Sequence, residues 1–454
     1  MSESPIKIIR AKCYTEYALQ TYLKRSWFGK IQIETQENDD SRRRYHGKER
    51  TTQRKGIPHG ARERMQMKIK KEIFSCQRGP LKIRGQVFTP EDSGPFPAVI
   101  VSHGFMANQG SVRQYAEALA QEGFAAFIFD FCGGCIRGQS DGATEDMTVL
   151  TEVEDLKAVI AWALSRPFVR GDKLILMGCS QGGFVSAITA AQMGEQVERL
   201  VLFYPALCIP DNARAGKMMF YRFDPANIPD ILGKRPITLG GDYARTVIEK
   251  DPYEMIGDYS GPVLIVHGTE DKIVKLSYSE KAQKRYGEER CQLVKIPGAG
   301  HGFRKTKDQT AIAFLREFVK GREELFAVDV RLTGGSVRRK ESAWEITLPF
   351  EGTAQGKYFC GAIEPGAADI QRHSLRDRHF VADYYLTGTD AEGSVCRIHI
   401  VNEYRGAGWT PTVTTDSEGL AFLNKEACSE YFEPRRGGPV IHIFNRPPKT
   451  EQSK

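Results

Sequence analysis

The chain has 454 residues, of which 41% are apolar and 27% charged, with 64 Lys and Arg against 57 Asp and Glu. That length exceeds one ordinary domain of ~100–200 residues, so two or three globular units are expected, and no run approaches the ~18 consecutive apolar residues of a spanning helix. The opening residues lack the apolar core of a signal peptide, and ten scattered cysteines fit a reducing cytoplasm better than a disulfide framework, so a cytoplasmic protein is expected.

The positive excess lies at the N-terminus: residues 1–71 hold 18 basic against 8 acidic residues, and the remainder holds 46 against 49. From Glu34 to Arg64 apolar residues almost vanish. Such a segment cannot bury enough surface to offset the entropy of ordering, so residues 1–66 are expected to form a disordered basic extension. The Arg42, Arg43, Arg44 run reads as solvated charge, with neither nucleic acid nor membrane expected as a partner. An alternative reading starts translation at Met65 or Met67.

From Lys68 short apolar runs alternate with amphipathic segments. Strands are expected at 81–90, 97–103, 125–131, 173–178, 199–205, 262–268 and 291–297, and helices at 111–122, 149–165, 181–193, 277–287 and 308–323. The continuous Val, Ile and Leu content of the strands suggests a parallel sheet covered on both faces. The fold class is therefore α/β over residues 67–325, with an insert at 207–259 between the fifth and sixth of these strands. After Leu325 the alternation stops. Short strands separated by Gly-rich turns follow, so residues 326–447 are expected to form an all-β, barrel-like domain, and 448–454 a polar tail.

Gly178-Cys179-Ser180-Gln181-Gly182 is a G-x-S-x-G pentapeptide set between the strand KLILMG and the helical GFVSAITAAQM. Glycines around a strand-to-helix turn allow the strained backbone that exposes a serine hydroxyl above a sheet. A serine needs a base and a carboxylate to orient that base, and both follow at strand ends: Asp271 after PVLIVHG, and His301 after CQLVKIP. Glu270 is the rival acid. For the oxyanion, the backbone N–H groups of Phe105, in His103-Gly104-Phe105, and of Gln181 are the expected donors. His103 and His267 read as structural histidines. No metal-ligand spacing is present, so neither metal nor cofactor is expected. Cys132 and Cys135 form a C-x-x-C pair without a second pair, and they read as packed free thiols.

These motifs, HGF at 103–105, GCSQGG at 178–183, HGTEDKIV at 267–274 and GAGHGF at 298–303, resemble the α/β-hydrolase superfamily and, more narrowly, the bacterial feruloyl or cinnamoyl esterases. The insert carries a similar FDPxxIPD and TLGGxY pattern. The resemblance implies a cap domain in which Asp211 and Tyr243 meet the phenolic hydroxyl of an aromatic acyl group. One departure is the loop from Asp130 to Gly142, where the C-x-x-C replaces the usual D-x-x-G-x-G-x-S-x-G. Residues 326–447 resemble a small bacterial β-barrel family of unknown function.

The expected activity is that of a serine carboxylesterase, acting through an acyl-enzyme on a small or aromatic ester as its small-molecule partner, with a homodimer as a possible assembly. The rival readings are a peptidase or amidase on the same scaffold and a catalytically silent binding protein. The methionine and aromatic residues between Met218 and Met255 either pack the cap on the sheet or line an acyl pocket.

Overall fold

The computed structural model describes the two-residue strand Glu34–Thr35 and residues 68–446, apart from 220, 235–236, 341–342, 375–377, 405–408 and 426. The rest of the basic extension and the tail after 446 lie outside the described residues. The chain divides into two compact units, one of them spanning Gln66–Gly321 and the other including Arg322–Lys454. No helix among the described residues is long and apolar enough to cross a membrane.

The first unit is an α/β fold. Its strands are β1 Ile69–Arg78, β2 Leu81–Pro90, β3 Phe96–Ser102, β4 Ala125–Phe129, β5 Val169–Cys179, β6 Val197–Phe203, β7 Val263–Gly268 and β8 Cys291–Ile296. They lie in the order β8-β7-β6-β5-β3-β4-β2-β1. From β3 to β8 all pairs are parallel. The helices are α1 Arg113–Ala120, α2 Val149–Leu164, α3 Gln181–Met193, α4 Ile209–Arg214, α5 Asp242–Arg245, α6 Pro252–Ile256, α7 Leu276–Tyr286 and α8 Thr306–Val319. The middle strands are buried along most of their length because helices cover both faces: Ala98, Val99, Ile100 and Val101 have no solvent exposure.

Two sequence expectations change here. The segment 81–90 pairs antiparallel with both β4 and β1, and β1 itself has no counterpart in the sequence reading. The two form a hairpin that turns at Gly79, whose φ is +56°. β1 sits at the sheet edge, where one face is solvated and the apolar run of a buried strand is not required. Its alternation, with Phe74 and Cys76 inward, is the only periodic signal.

The second unit is an all-β antiparallel sheet. Its strands are β9 Glu323–Leu332, β10 Ser336–Lys340, β11 Ala343–Gln355, β12 Phe359–Ile363, β13 Ala368–Ser374, β14 Arg378–Asp390, β15 Val395–Tyr404, β16 Trp409–Thr415, β17 Ser429–Glu433 and β18 Val440–Asn445. The main path runs β16-β15-β14-β12-β11-β9-β18-β17. Its two ends approach each other, since the Trp409 and Phe432 rings lie 5.3 Å apart. The sheet therefore curls around its own core, which includes Phe326, Val328, Phe359, Leu386, Ile398, Ile400 and Ile443.

A buried charged trio holds one side of this unit. His442 on β18 hydrogen-bonds Glu324 on β9 through Nδ1 and Glu433 on β17 through Nε2, the latter at 3.4 Å. Burial pushes the imidazole down, but the two carboxylates outweigh it and raise His442 to about 9, while Glu433 is held down at about 2. Because the folded value of His442 is raised, its stabilisation is complete below ~6.5 and lost as pH rises through about 9. Urea unfolding of the full chain should therefore lose about 2–3 kcal/mol between pH 6.5 and 9.5 from this group. His442→Gln should flatten that slope; an unchanged slope would show that the trio is not ionised as described.

Candidate active site

The parallel strands end on one edge of the sheet, and their C-terminal turns bring together Ser180, Asp271 and His301. β5 runs into α3 at Ser180, which adopts φ +54° and ψ −120°. That conformation is strained for a residue with a Cβ and persists only where the surroundings impose it. They do so by close backbone packing: a Cβ on Gly178 would lie 2.1 Å from the Gly182 carbonyl oxygen, and one on Gly182 would lie 2.2 Å from that of His103. Only glycine fits at both positions.

Ser180 Oγ is 3.0 Å from His301 Nε2, and His301 Nδ1 is 2.8 Å from Asp271 Oδ2. Asp271 is 8% exposed, and its Oδ1 accepts the backbone N–H groups of Ile273 and Val274, each at 2.9 Å. Burial would raise this carboxyl, but hydrogen bonds from His267 and His301 and the Val274 amide more than compensate, holding it well below the usual carboxylate range. An ionised Asp271 accepts the Nδ1–H of His301 and so turns the Nε2 lone pair towards the Ser180 hydroxyl. Glu270, the rival acid, is exposed.

The helix α3 begins at Gln181, so its backbone N–H lies among the first-turn amides that have no intrahelical acceptor. Among the described residues neither Phe105 nor Gln181 donates its N–H to another backbone group. The Gln181 side chain is also anchored. Its Nε2 donates to Glu152 Oε2 at 2.8 Å, and its Oε1 accepts the hydroxyl of Tyr243. Tyr243 is 3% exposed and packs its ring 5.7 Å from that of Phe105. Asp211, by contrast, is half exposed, and its carboxylate accepts from Arg214 and from the Tyr278 hydroxyl at 2.7 Å. Burial opposes ionisation of Asp211, but these two hydrogen bonds outweigh it and lower its pKa. Among the cap methionines Met218 is core, whereas Met219 is 40% exposed.

Three elements of the site were not read from the sequence as such. Glu152 lies on the buried face of α2, with Val149, Val153 and Leu156, and an acid on an apolar face is the available signal. His267 sits with Nε2 3.3 Å from Asp271 Oδ2 and 3.0 Å from the Val274 carbonyl, while Nδ1 meets Ser279 Oγ at 2.7 Å. Tyr204, at φ +39°, lays its ring edge-on to His301 at 4.8 Å.

The loop that departs from the resembled pattern wraps His103. Nδ1–H donates to the Gly104 carbonyl at 2.8 Å, so Nε2 accepts from the Phe131 amide at 3.2 Å, with Cys135 Sγ also 3.2 Å away. Cys132 and Cys135 are free thiols, raised by burial, Cys132 to about 12. His103, Asp130 and Cys135 place one ligand atom each within 4.8 Å of one another. The Asp130 carboxylate, however, accepts the Gln109 and Gln139 amides and the Gln109 side chain, at 2.7, 2.8 and 3.1 Å. N–H groups aimed at the cluster oppose a cation there and tie the loop after β3 to the loop after β4.

The sequence profile of the dienelactone hydrolase family matches residues 83–350. The chain is 26% identical over 235 residues to the peroxisomal succinyl-coenzyme A thioesterase of Mus musculus, a match that covers 48% of this chain and 52% of that protein. It is 29% identical over 142 residues to a putative carboxymethylenebutenolidase of Aquifex aeolicus, covering 29% of this chain and 61% of that one. The chain thus spans about half the length of the thioesterase. Among solved structures, Est1E of Butyrivibrio proteoclasticus with bound ferulic acid is 30% identical, with a TM-score of 0.51 over 54% of this chain and 98% of that one.

Burial pushes the Glu152 carboxyl well up, which favours its neutral form, and an amide is the near-isostere of that form. Glu152→Gln should change urea stability by under about 1 kcal/mol. Glu152→Leu, which leaves Gln181 Nε2 buried without that acceptor, should cost about 1–3 kcal/mol. Equal losses from both would mean that the carboxyl is ionised.

Proposed function

This chain belongs to the dienelactone hydrolase family, and on that premise we propose that it is a serine hydrolase cleaving carboxylic esters, with Ser180 as nucleophile, His301 as base and Asp271 as the group that orients the base. The observation that carries this reading is the hydrogen-bonded line Ser180–His301–Asp271 at 3.0 and 2.8 Å, beginning at the strained turn between β5 and α3.

In the reaction, His301 Nε2 takes the Ser180 proton as Oγ attacks the ester carbonyl, and the N–H groups of Phe105 and Gln181 receive the charge developing on the carbonyl oxygen. His301 then gives its proton to the leaving alcohol, and water, deprotonated by the same nitrogen, hydrolyses the acyl-enzyme. Asp271 stays ionised throughout and stabilises the imidazolium. The Gln181 side chain, held by Glu152 and Tyr243, keeps the oxyanion peptide in place.

Ser180→Ala should keep the far-UV circular dichroism and lose nearly all ester hydrolysis, leaving at most ~10³–10⁴-fold over water. Asp271→Asn should be nearly as severe, and Glu270→Gln mild. The panel is acetyl, butyryl, octanoyl and feruloyl esters beside p-nitroanilide amides. Activity of Ser180→Ala within a few-fold of the parent sinks the assignment, and faster amide than ester cleavage moves the reading to an amidase.

For the acyl group, the similarity to Est1E with ferulic acid favours a hydroxylated cinnamoyl ester. Tyr243 donates its proton to Gln181 and so offers only a lone pair to a substrate, and the ionised Asp211 is likewise an acceptor. An acceptor suits the single proton of a phenolic O–H, the ionised Asp211 being the stronger of the two, and a site built for a hydroxyl penalises an acyl group without one. A para-hydroxylated cinnamate ester should have the higher kcat/KM than unsubstituted cinnamate. Asp211→Ala should erase that preference while sparing acetyl esters, whereas Tyr243→Phe, which also removes a hydrogen bond that holds the Gln181 side chain, should slow acetyl esters as well. Equal kcat/KM for the two cinnamates in the parent enzyme refutes the cap assignment.

A further inference from the structure

The all-β unit buries polar atoms for which its own described residues provide no partner. Tyr384 is 2% and Asn402 1% exposed, yet the Tyr384 hydroxyl and Asn402 Oδ1 have no hydrogen-bond partner among the described residues, and neither does the solvent-shielded Glu430 Oε1. Buried polar atoms are nearly always satisfied, so three orphans in one place need an explanation.

The strand register brings them together. Tyr384 on β14 faces Ile400 on β15, and Asn402 lies two residues further along the same face, opposite Ala382 and Pro411. Asn402 Nδ2 donates to Glu430 Oε2 on β17 at 2.5 Å, closing the gap between the two ends of the sheet. The next cross-strand row holds Phe380, Tyr404 and Trp409, with ring centroids 5.2 Å apart for Phe380–Tyr404 and 5.6 Å for Tyr404–Trp409, and Phe432 on β17 completes it 5.3 Å from Trp409. All four rings are half-buried. Asn402 thus lies one row and Tyr384 two rows below a half-buried aromatic wall, and in the Asn402 row Ala382 contributes only a methyl group.

We propose that this interior is a binding site for a small organic cation, a primary ammonium on a short apolar body, with the ammonium on Glu430 Oε1, Asn402 Oδ1 and the Tyr384 oxygen and the body against the Phe380, Tyr404, Trp409 and Phe432 rings. An ammonium supplies three donors and no acceptor, matching an amide oxygen, a carboxylate and a phenol oxygen. Aromatic faces attract cations and repel anions. A carboxylate would be left uncompensated by an anion, and all three oxygens would stay unpaired against a hydrocarbon. Among the described residues no basic side chain pairs with Glu430, and burial raises it to about 8, so the carboxyl is largely neutral at pH 7 in the free protein and a bound ammonium would favour its ionised form. The site uses no residue of the hydrolase unit and stands apart from the ester reading.

The test is calorimetric titration of the full chain with 2-phenylethylamine, 2-phenylethanol and phenylacetate, with tryptophan fluorescence read in parallel. The amine should bind saturably with a Kd of about 1 mM or tighter, and the alcohol and the acid at least tenfold more weakly. Glu430→Gln should weaken the amine at least tenfold and Tyr384→Phe several-fold, both with unchanged circular dichroism. Three results overturn the proposal. The first is no saturable binding of the amine, which leaves ordered water as the partner of the three atoms. The second is alcohol or acid binding as well as the amine. The third is amine binding that neither substitution weakens, which puts it elsewhere on the chain.

Discussion

The hydrolase unit depends on one constraint: backbone packed against backbone at the end of β5, with no side chain between. The carbonyl groups of Gly182 and His103 lie so near the α-carbons of Gly178 and Gly182 that a methyl group fits at neither. That closeness holds Ser180 at φ +54° and aims its hydroxyl away from the sheet towards His301. The same contact brings Phe105, two residues after His103, beside the start of α3, so Ser180 and the Phe105 and Gln181 N–H groups, the proposed nucleophile and oxyanion donors, are fixed by one packing event. Strain at Ser180 is supported by the buried C-terminal parts of β3, β5 and β6.

Around that turn, acids of similar intrinsic pKa are set to different states by their partners. Asp271 receives two amides and two histidines and is ionised. Glu152, equally enclosed, receives one side-chain amide and is pushed well up by burial, towards its neutral form. Asp155, one turn along α2 from Glu152, is raised by burial, while the Arg78 guanidinium and the Cys132 amide pull it back. Environment rather than residue type thus separates the acid paired with His301 from the acids that lock loops.

Both units leave some buried polar side-chain atoms without a hydrogen-bond partner among the described residues, Ser102, Gln109 and Tyr286 in the α/β unit and Tyr384, Asn402 and Glu430 in the all-β unit. In the α/β unit the buried polar chains end on the turns after β3, β5 and β7, where the chemistry is. The all-β unit binds its strands through the His442 trio on one side and leaves Tyr384, Asn402 and Glu430 with orphan atoms inside. Orphan atoms clustered on neighbouring strands are costly unless something satisfies them, and that cost is the ground of the ligand site proposed for this unit.

What the sequence determined by itself is whatever repeats locally or needs a particular residue. The continuous apolar runs marked β3 to β8, helical spacing marked α2, α3 and α8, and the glycines at 178 and 182 marked the turn at Ser180, because each signal lies within a dozen residues. The positions of Asp271 and His301 after strands were equally legible, since parallel strands deliver their ends to one edge. What only the tertiary structure decided are relations between distant segments. The antiparallel edge of β1 and β2 was one, since a solvated edge needs no apolar run. Others were the link from Glu152 through Gln181 to Tyr243, the contact of His267 with Asp271, and the meeting of Asn402 with Glu430. No local pattern encodes these, because a hydrogen bond across 28 or 62 residues exists only once packing has brought its two atoms within reach.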